Sequence, residues 1–225
     1  MAESESPSRT HRSGSDPHEC YRVAVLASGR GSNLQALLDR QLTDNYKVVA
    51  VLSDKPQARA LALAREASIE PIALNWATRA EGEFQLRDHL QRLQPDLIVL
   101  AGFMRILSPA SVTPWLGKMI NIHPSLLPLY PGLHTHRRVL EDGRKVHGAS
   151  VHFVTEELDG GPVISQTRLP VLPEDTPESL ALRLLPGEHR LLTQTVSWLR
   201  HGVIQLADRQ VMYNGTPLKE PLIVP

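Results

Sequence analysis

Apolar residues along the chain fall into short runs, and stretches with helical spacing separate them. Arg22–Ala27 (RVAVLA) is a β-branched apolar run that suits a buried strand. After it, Leu34, Leu37, Leu38 and Leu42 recur at helical spacing. Val48–Leu52 is the next strand. A helix over about Ala58–Ala67 and a short strand near Pro71–Leu74 follow. Phe84, Leu86, Leu90 and Leu93 mark another amphipathic helix, and Asp96–Ala101 (DLIVLA) a further strong strand. This alternation predicts an α/β fold with a parallel sheet and helices on both faces.

Beyond residue 120 the pattern changes. Lys118–Ile122 reads as a strand, followed by a Pro-rich loop from Pro124 to Gly132. Ala149–Val154 and Pro162–Val171 are strands with a loop short enough for an antiparallel pair. Thr176-Pro177-Glu178 carries the marks of a helix start: a capping Thr, Pro at the first position and an acid in the first turn. Pro186-Gly187 is expected to interrupt that helix, with Glu188–Arg200 continuing it to a stop at Gly202. Val203–Leu218 reads as two strands around an Asn214-Gly215 hairpin turn.

Composition narrows the function classes. The 225 residues hold 24 Lys and Arg against 24 Asp and Glu, so bulk binding to a phosphate backbone is disfavoured. One Cys excludes an internal disulfide framework and a Cys-rich zinc site. Residues 1–20 are Ser-rich and lack an apolar signal region, and they read as a disordered tail. Four acids and two arginines fall in that tail. The rest is therefore slightly basic, 22 against 20, which suits small anionic ligands.

Ser28-Gly29-Arg30-Gly31-Ser32-Asn33 lies between the first strand and the first helix. Such a junction offers free N–H groups and the positive end of a helix dipole, a place for a phosphate. The dinucleotide pattern G-x-G-x-x-G fails because Leu34 occupies the third glycine position, although Asp54 could imitate the ribose-binding acid. No Lys follows Gly31, which disfavours an NTPase loop. Many strand–helix turns contain Gly for steric reasons alone.

Asn121 and His123 are two residues apart at a strand end, so they share a face. An amide and an imidazole there could serve an acyl-transfer centre, by donating to an oxyanion or shuttling a proton. A buried histidine with a backbone partner fits the same letters. Asp159, before Gly160-Gly161, reads as a turn unless the fold sets it beside His123, where it would raise the histidine's pKa. His134 and His136 lack the companions of a metal site. No G-x-S-x-G supports a serine hydrolase.

Several strings together resemble the phosphoribosylglycinamide formyltransferase family. They are Ser28–Leu34, Ala101–Ser108, Asn121–Pro128, Tyr130–His136 and Gly148–Val154 running on to Leu158–Pro162. The likeness spans about residues 22–202. It implies a Rossmann-like formyltransferase fold: a mainly parallel twisted sheet, helices on both faces, and a C-terminal half completing a mixed sheet. Residues 21–225 would form one domain with a phosphate-binding half, 21–120, and a catalytic and folate-binding half, 121–225.

The resemblance further implies formyl transfer from 10-formyltetrahydrofolate, as co-substrate and without a metal, to the amine of 5-phosphoribosylglycinamide in purine biosynthesis. Asn121, His123 and Asp159 match the family's catalytic residues, with His123 kept protonated by Asp159. Gly31, Ser32 and Asn33 match its phosphate contacts, and Glu188 a substrate contact. Arg79, Met104, Arg105, Ile106, Leu107 and Asn121 match folate contacts, and the loop Thr155–Asp159 would close over the pterin. Asp54 stands where Asn is common in the family and receives no role. The partners expected are the two small molecules, not nucleic acid or a membrane, for a cytoplasmic monomer or homodimer. The alternatives are a formyltetrahydrofolate deformylase, a methionyl-tRNA formyltransferase, disfavoured because these 225 residues offer neither the length expected with an RNA-binding domain nor a basic excess, and a nucleotide-binding module without chemistry.

Overall fold

Each apolar run of the N-terminal half becomes a strand, and each helical spacing a helix laid across the sheet. In the computed structural model, which describes residues 20–225, β1 (Tyr21–Leu26), α1 (Ser32–Arg40), β2 (Tyr46–Ser53), α2 (Arg59–Glu66), β3 (Glu70–Ala73), α3 (Arg79–Leu93) and β4 (Leu97–Leu100) come first. Then come α4 (Pro109–Val112), a 3₁₀ turn at Thr113–Trp115 and β5 (Met119–His123). The C-terminal half adds α5 (Thr135–Glu141), β6 (Val146–Phe153), β7 (Val163–Pro170) and α6 (Pro177–Arg200). It ends with β8 (Ile204–Ala207), β9 (Gln210–Tyr213), β10 (Thr216–Pro217) and β11 (Leu222–Ile223). The tail expected over residues 1–20 lies outside the described residues apart from Cys20, which is exposed.

Eight strands form one sheet in the order β11-β7-β6-β5-β4-β1-β2-β3. β1 to β5 run parallel. β6 is antiparallel to β5, β7 to β6, and β11 pairs in parallel with β7. The mixed α/β architecture is the one anticipated. Alternate residues of the buried strands serve opposite faces. Val23 and Val25 enter a core with Leu34, Leu61 and Leu191, whereas Ala24 and Leu26 enter another with Leu86 and Leu90. The chain leaves β1 for β2 on one side and returns to β4 on the other. That reversal makes a crevice at the strands' carboxyl ends, where open α/β sheets bind ligands.

Four local expectations are corrected. α6 does not break at Pro186-Gly187 but runs unbroken for 24 residues. Pro186 has no N–H for the Leu182 carbonyl, yet both residues face solvent. The opposite face buries Leu180, Leu184, Leu191, Leu192 and Val196, each worth about 1.5–3 kcal/mol, against a proline cost of about 3. Phe84 is exposed, and α3 turns Glu83, Leu86 and Leu90 inward instead. Leu42 lies beyond α1 and is also exposed. The C-terminal segment holds three antiparallel strands in a separate sheet, not two. Asp208 and Arg209, both at positive φ, make a first turn, and Asn214-Gly215 the second. Among the described residues no helix is long and apolar enough to cross a membrane.

Candidate active site

Three segments meet at the crevice, the first being the loop after β1. Gly31 caps α1 with φ 82°, and a Cβ there would come within 2.9 Å of Leu63 and 3.1 Å of the Ala60 backbone. Glycine is required on both counts. No side chain caps α1 and no acid stands in its first turn, so its first N–H groups and positive dipole end are free for an anion. The Asn33 amide donates to the Glu188 carboxyl at 3.1 Å, across 155 residues of sequence. Burial pushes the Glu188 carboxyl up, more than the Asn33 hydrogen bond lowers it. The Asn33 Oδ1 atom is buried without a partner. The continuous α6 thus brings Glu188 to the loop that holds Gly31, Ser32 and Asn33.

The second segment follows β4. Ser28 donates its N–H to the Gly102 carbonyl at 3.1 Å, and the Met104 N–H donates to Ser28 Oγ at 2.9 Å. Ser28 Oγ in turn donates to Asp54 Oδ1 at 2.5 Å, and Arg105 Nε donates to Asp54 Oδ2 at 2.6 Å. The Arg105 guanidinium lies 5.7 Å over Trp76, which meets Phe103 edge-to-face. Farther along, Glu83 accepts from the Ser108 N–H at 3.0 Å and from the hydroxyls of Ser108 and Ser111. It also accepts from Arg79 at 2.7 Å. Burial alone would raise the Glu83 carboxyl; these donors outweigh it and lower its pKa to about 2. Arg105, Ile106, Leu107 and Asn121 line a cavity of 90 Å³ whose far wall is Val154–Asp159. Arg79 and Met104 are not among its lining residues.

The third segment is the end of β5 with the loop before β7. Register sets Asn121 opposite His152 and His123 opposite Ser150. The His123 ring meets the Tyr130 carbonyl at 2.9 Å through Nε2. A carbonyl only accepts, so Nε2 carries the hydrogen and Nδ1 is left facing Asp159 Oδ2 at 3.5 Å. Asp159 Oδ2 also accepts the Gly132 N–H at 2.8 Å, and its Oδ1 lies 3.4 Å from the Asn121 amide. Asp159 has φ 50°, and a Cβ at Gly161 would fall 1.9 Å from the Phe153 carbonyl oxygen, which fixes the tight turn. The structure therefore brings Asn121, His123 and Asp159 together, as expected from the sequence.

The shift at His123 differs from expectation, whereas that at Asp159 does not. Burial lowers the His123 pKa by more than the Tyr130 carbonyl and Asp159 raise it. The resting ring is neutral at neutral pH, not held protonated by Asp159. Burial pushes the Asp159 carboxyl up, but the His152 ring and the Gly132 N–H hold it below the usual range, so it is ionised.

Sequence reasoning missed His152, whose Nδ1 meets the Phe153 carbonyl at 2.9 Å and whose Nε2 lies 3.1 Å from the Asn121 amide. Only the antiparallel register of β5 and β6 reveals it. Glu83 received no role from the sequence because Ser108 and Ser111 lie 25 and 28 positions away, and Asp54 received none because Ser28 and Arg105 lie 26 and 51 positions away. His136 pairs with His147 at 2.9 Å. Burial lowers both, His147 to about 4.

The sequence model of the formyl transferase family matches residues 21–196. The phosphoribosylglycinamide formyltransferase of Escherichia coli is 45% identical over 201 residues, 87% of this chain and 95% of the relative. The solved structure of the Coxiella burnetii phosphoribosylglycinamide formyltransferase superposes with TM-score 0.86 at 42% identity, over 92% of this chain and all of the other. A formyltetrahydrofolate deformylase from Pseudomonas syringae superposes with TM-score 0.81 at 25% identity, over 87% of this chain but 66% of its own.

Proposed function

Because the chain belongs to the formyl transferase family, we propose that its crevice joins two substrates, with Asn121, His123 and Asp159 as the catalytic residues. The reaction is transfer of a formyl group from formyltetrahydrofolate to phosphoribosylglycinamide, a step of purine biosynthesis, and both substrates are small molecules. In this proposal the donor is 10-formyltetrahydrofolate. Residues 21–225 act as one domain, since β4, β5 and β6 hydrogen-bond across its two halves.

Gly31, Ser32 and Asn33 take the substrate phosphate on the uncapped N-terminus of α1, with Glu188 holding the sugar side. Met104–Leu107 and Asn121 receive the folate, and Arg79, paired with Glu83, is a further folate contact. The loop Thr155–Asp159, which forms one wall of the cavity, closes over the pterin.

The observation that carries the mechanism is the cluster of Asn121, His123 and Asp159 at the ends of β5 and the loop before β7. Amine attack forms the new N–C bond and sends the carbonyl electron pair to oxygen. The long 3.4 Å contact from Asn121 to Asp159 is the weakest of its hydrogen bonds, and the oxyanion takes it over. His123 Nδ1 accepts the proton of the attacking nitrogen, and the Asp159 carboxylate stabilises the imidazolium so formed. The C–N10 bond then breaks, its electron pair stays on N10, and His123 returns the proton there.

Folate product is followed with and without phosphoribosylglycinamide. Turnover is expected only with the amine, and turnover without it would return the deformylase reading. In His123→Ala, turnover is expected to fall ~10²–10³-fold with both substrates still bound. Near-normal turnover would remove His123 from the mechanism.

A further inference from the structure

Asp54 lies at the end of β2, buried and 6% exposed, on no segment that the mechanism uses. Its two carboxylate oxygens nevertheless grip both sides of the crevice. Oδ1 accepts the Ser28 hydroxyl at the start of the loop that leads into Gly31–Asn33. Oδ2 accepts Arg105 Nε from the segment that lines the cavity. The same Ser28 oxygen accepts the Met104 N–H, so the hydroxyl bridges the two segments directly as well. The Ser28 N–H to the Gly102 carbonyl closes the ring of contacts. Arg105 is half exposed, and its guanidinium pairs with Asp54 and lies over the Trp76 face.

We infer that Asp54 is a positioning residue for the transfer. Through Ser28 and Arg105 it sets the folate-side segment Gly102–Leu107 against the phosphate loop, so that the segment is already in place when folate arrives. It touches neither substrate. The inference rests on the proposed placement of phosphate at Gly31–Asn33 and of folate at Met104–Leu107. Its physical basis is that a shared, buried anchor orders the folate-side segment beforehand, so that folate binding does not bear the cost of ordering it.

The test measures the KM of each substrate, kcat and melting temperature. Asp54→Asn keeps an acceptor for the Ser28 hydroxyl but removes the charge that holds Arg105. It is expected to raise the KM for 10-formyltetrahydrofolate about fivefold, with kcat and the KM for phosphoribosylglycinamide changed by no more than about twofold. Ser28→Ala, which cuts Met104 from Asp54, is expected to raise the folate KM similarly. The double variant should do no more than the worse single one, because both act on one relay. A folate KM unchanged in both variants overturns the inference. So does a loss shared equally by both substrates that tracks a lowered melting temperature, since a merely structural role would give that. Ile106→Ala separates the two levels. If it leaves the folate KM unchanged, the placement of folate fails and the inference with it. If it raises that KM while Asp54→Asn and Ser28→Ala do not, the relay alone fails.

Discussion

At the scale of single residues, proton bookkeeping distinguishes this site from a plain cluster of polar groups. His123 sits neutral with Nε2 spent on the Tyr130 carbonyl, so its working nitrogen is Nδ1. A neutral acceptor makes kcat flat at neutral pH and decreasing on the acid side, with a midpoint below 6.5. Measured at saturating substrates, a kcat that instead declined as pH rose through 6 would mean that the protonated ring is the active form. The four lowered histidines, His123, His136, His147 and His189, also tie stability to pH. Each binds its proton more weakly folded than unfolded. Stability is therefore whole above pH 6.5 and falls as pH drops from there toward 4, where His147 finally charges. Urea unfolding at pH 7 and pH 5 should show that decrease, and His147→Asn should make it shallower. Asn121 and His123 were legible in the sequence because a strand has a period of two. Asp159 was legible only through the family resemblance, and His152 was hidden because its place depends on how β6 registers against β5.

At the scale of elements, α6 shows where local rules lose to packing. A proline in mid-helix followed by glycine reads as a break, but neither residue's defect falls on the buried face in a way that harms it. Pro186 leaves its missing hydrogen bond at the solvent side. Gly187 lies against β7, where a Cβ would come within 3.1 Å of Thr167 Cγ2 and 3.2 Å of its Oγ1. The two positions should respond differently. Pro186→Ala restores the exposed hydrogen bond and is expected to stabilise the protein by about 1 kcal/mol or more. Gly187→Ala crowds the Thr167 side chain of β7, which offsets the roughly 1 kcal/mol of helix propensity that alanine adds, so no net stabilisation is expected. It should also raise the KM for phosphoribosylglycinamide, since the displaced turn carries Glu188 away from Asn33. Chemical denaturation with steady-state kinetics on both variants checks this. The Asp208-Arg209 turn escaped detection for a related reason: two non-glycine residues at positive φ carry no turn signal in their letters.

At the scale of the whole molecule, the order of strands does the assembling. The reversal beside β1 opens the crevice, and the antiparallel return of β6 and β7 brings the Asp159 loop over it. The parallel first half and the antiparallel pair β6 and β7 follow from apolar runs and loop lengths, whereas the reversal beside β1 and the pairing of β6 with β5 do not. Nor does the last strand, for β11 has two residues and pairs in parallel with β7 through Leu222 and Ile223. The Val224 N–H to Gln166 and the Arg190 guanidinium to the Pro225 carbonyl pin it down. Without it, the backbone of Ile164–Thr167 would present open donors and acceptors along a strand rich in buried side chains. A chain ending at Leu218 should thus keep its crevice but self-associate, eluting early on size exclusion at concentrations where the full chain does not. A monomeric, unaggregated truncation would show the segment to be dispensable. Two residues of terminal strand then act as a guard against edge-to-edge polymerisation, a duty concerned with solubility in a crowded solution rather than with formyl transfer.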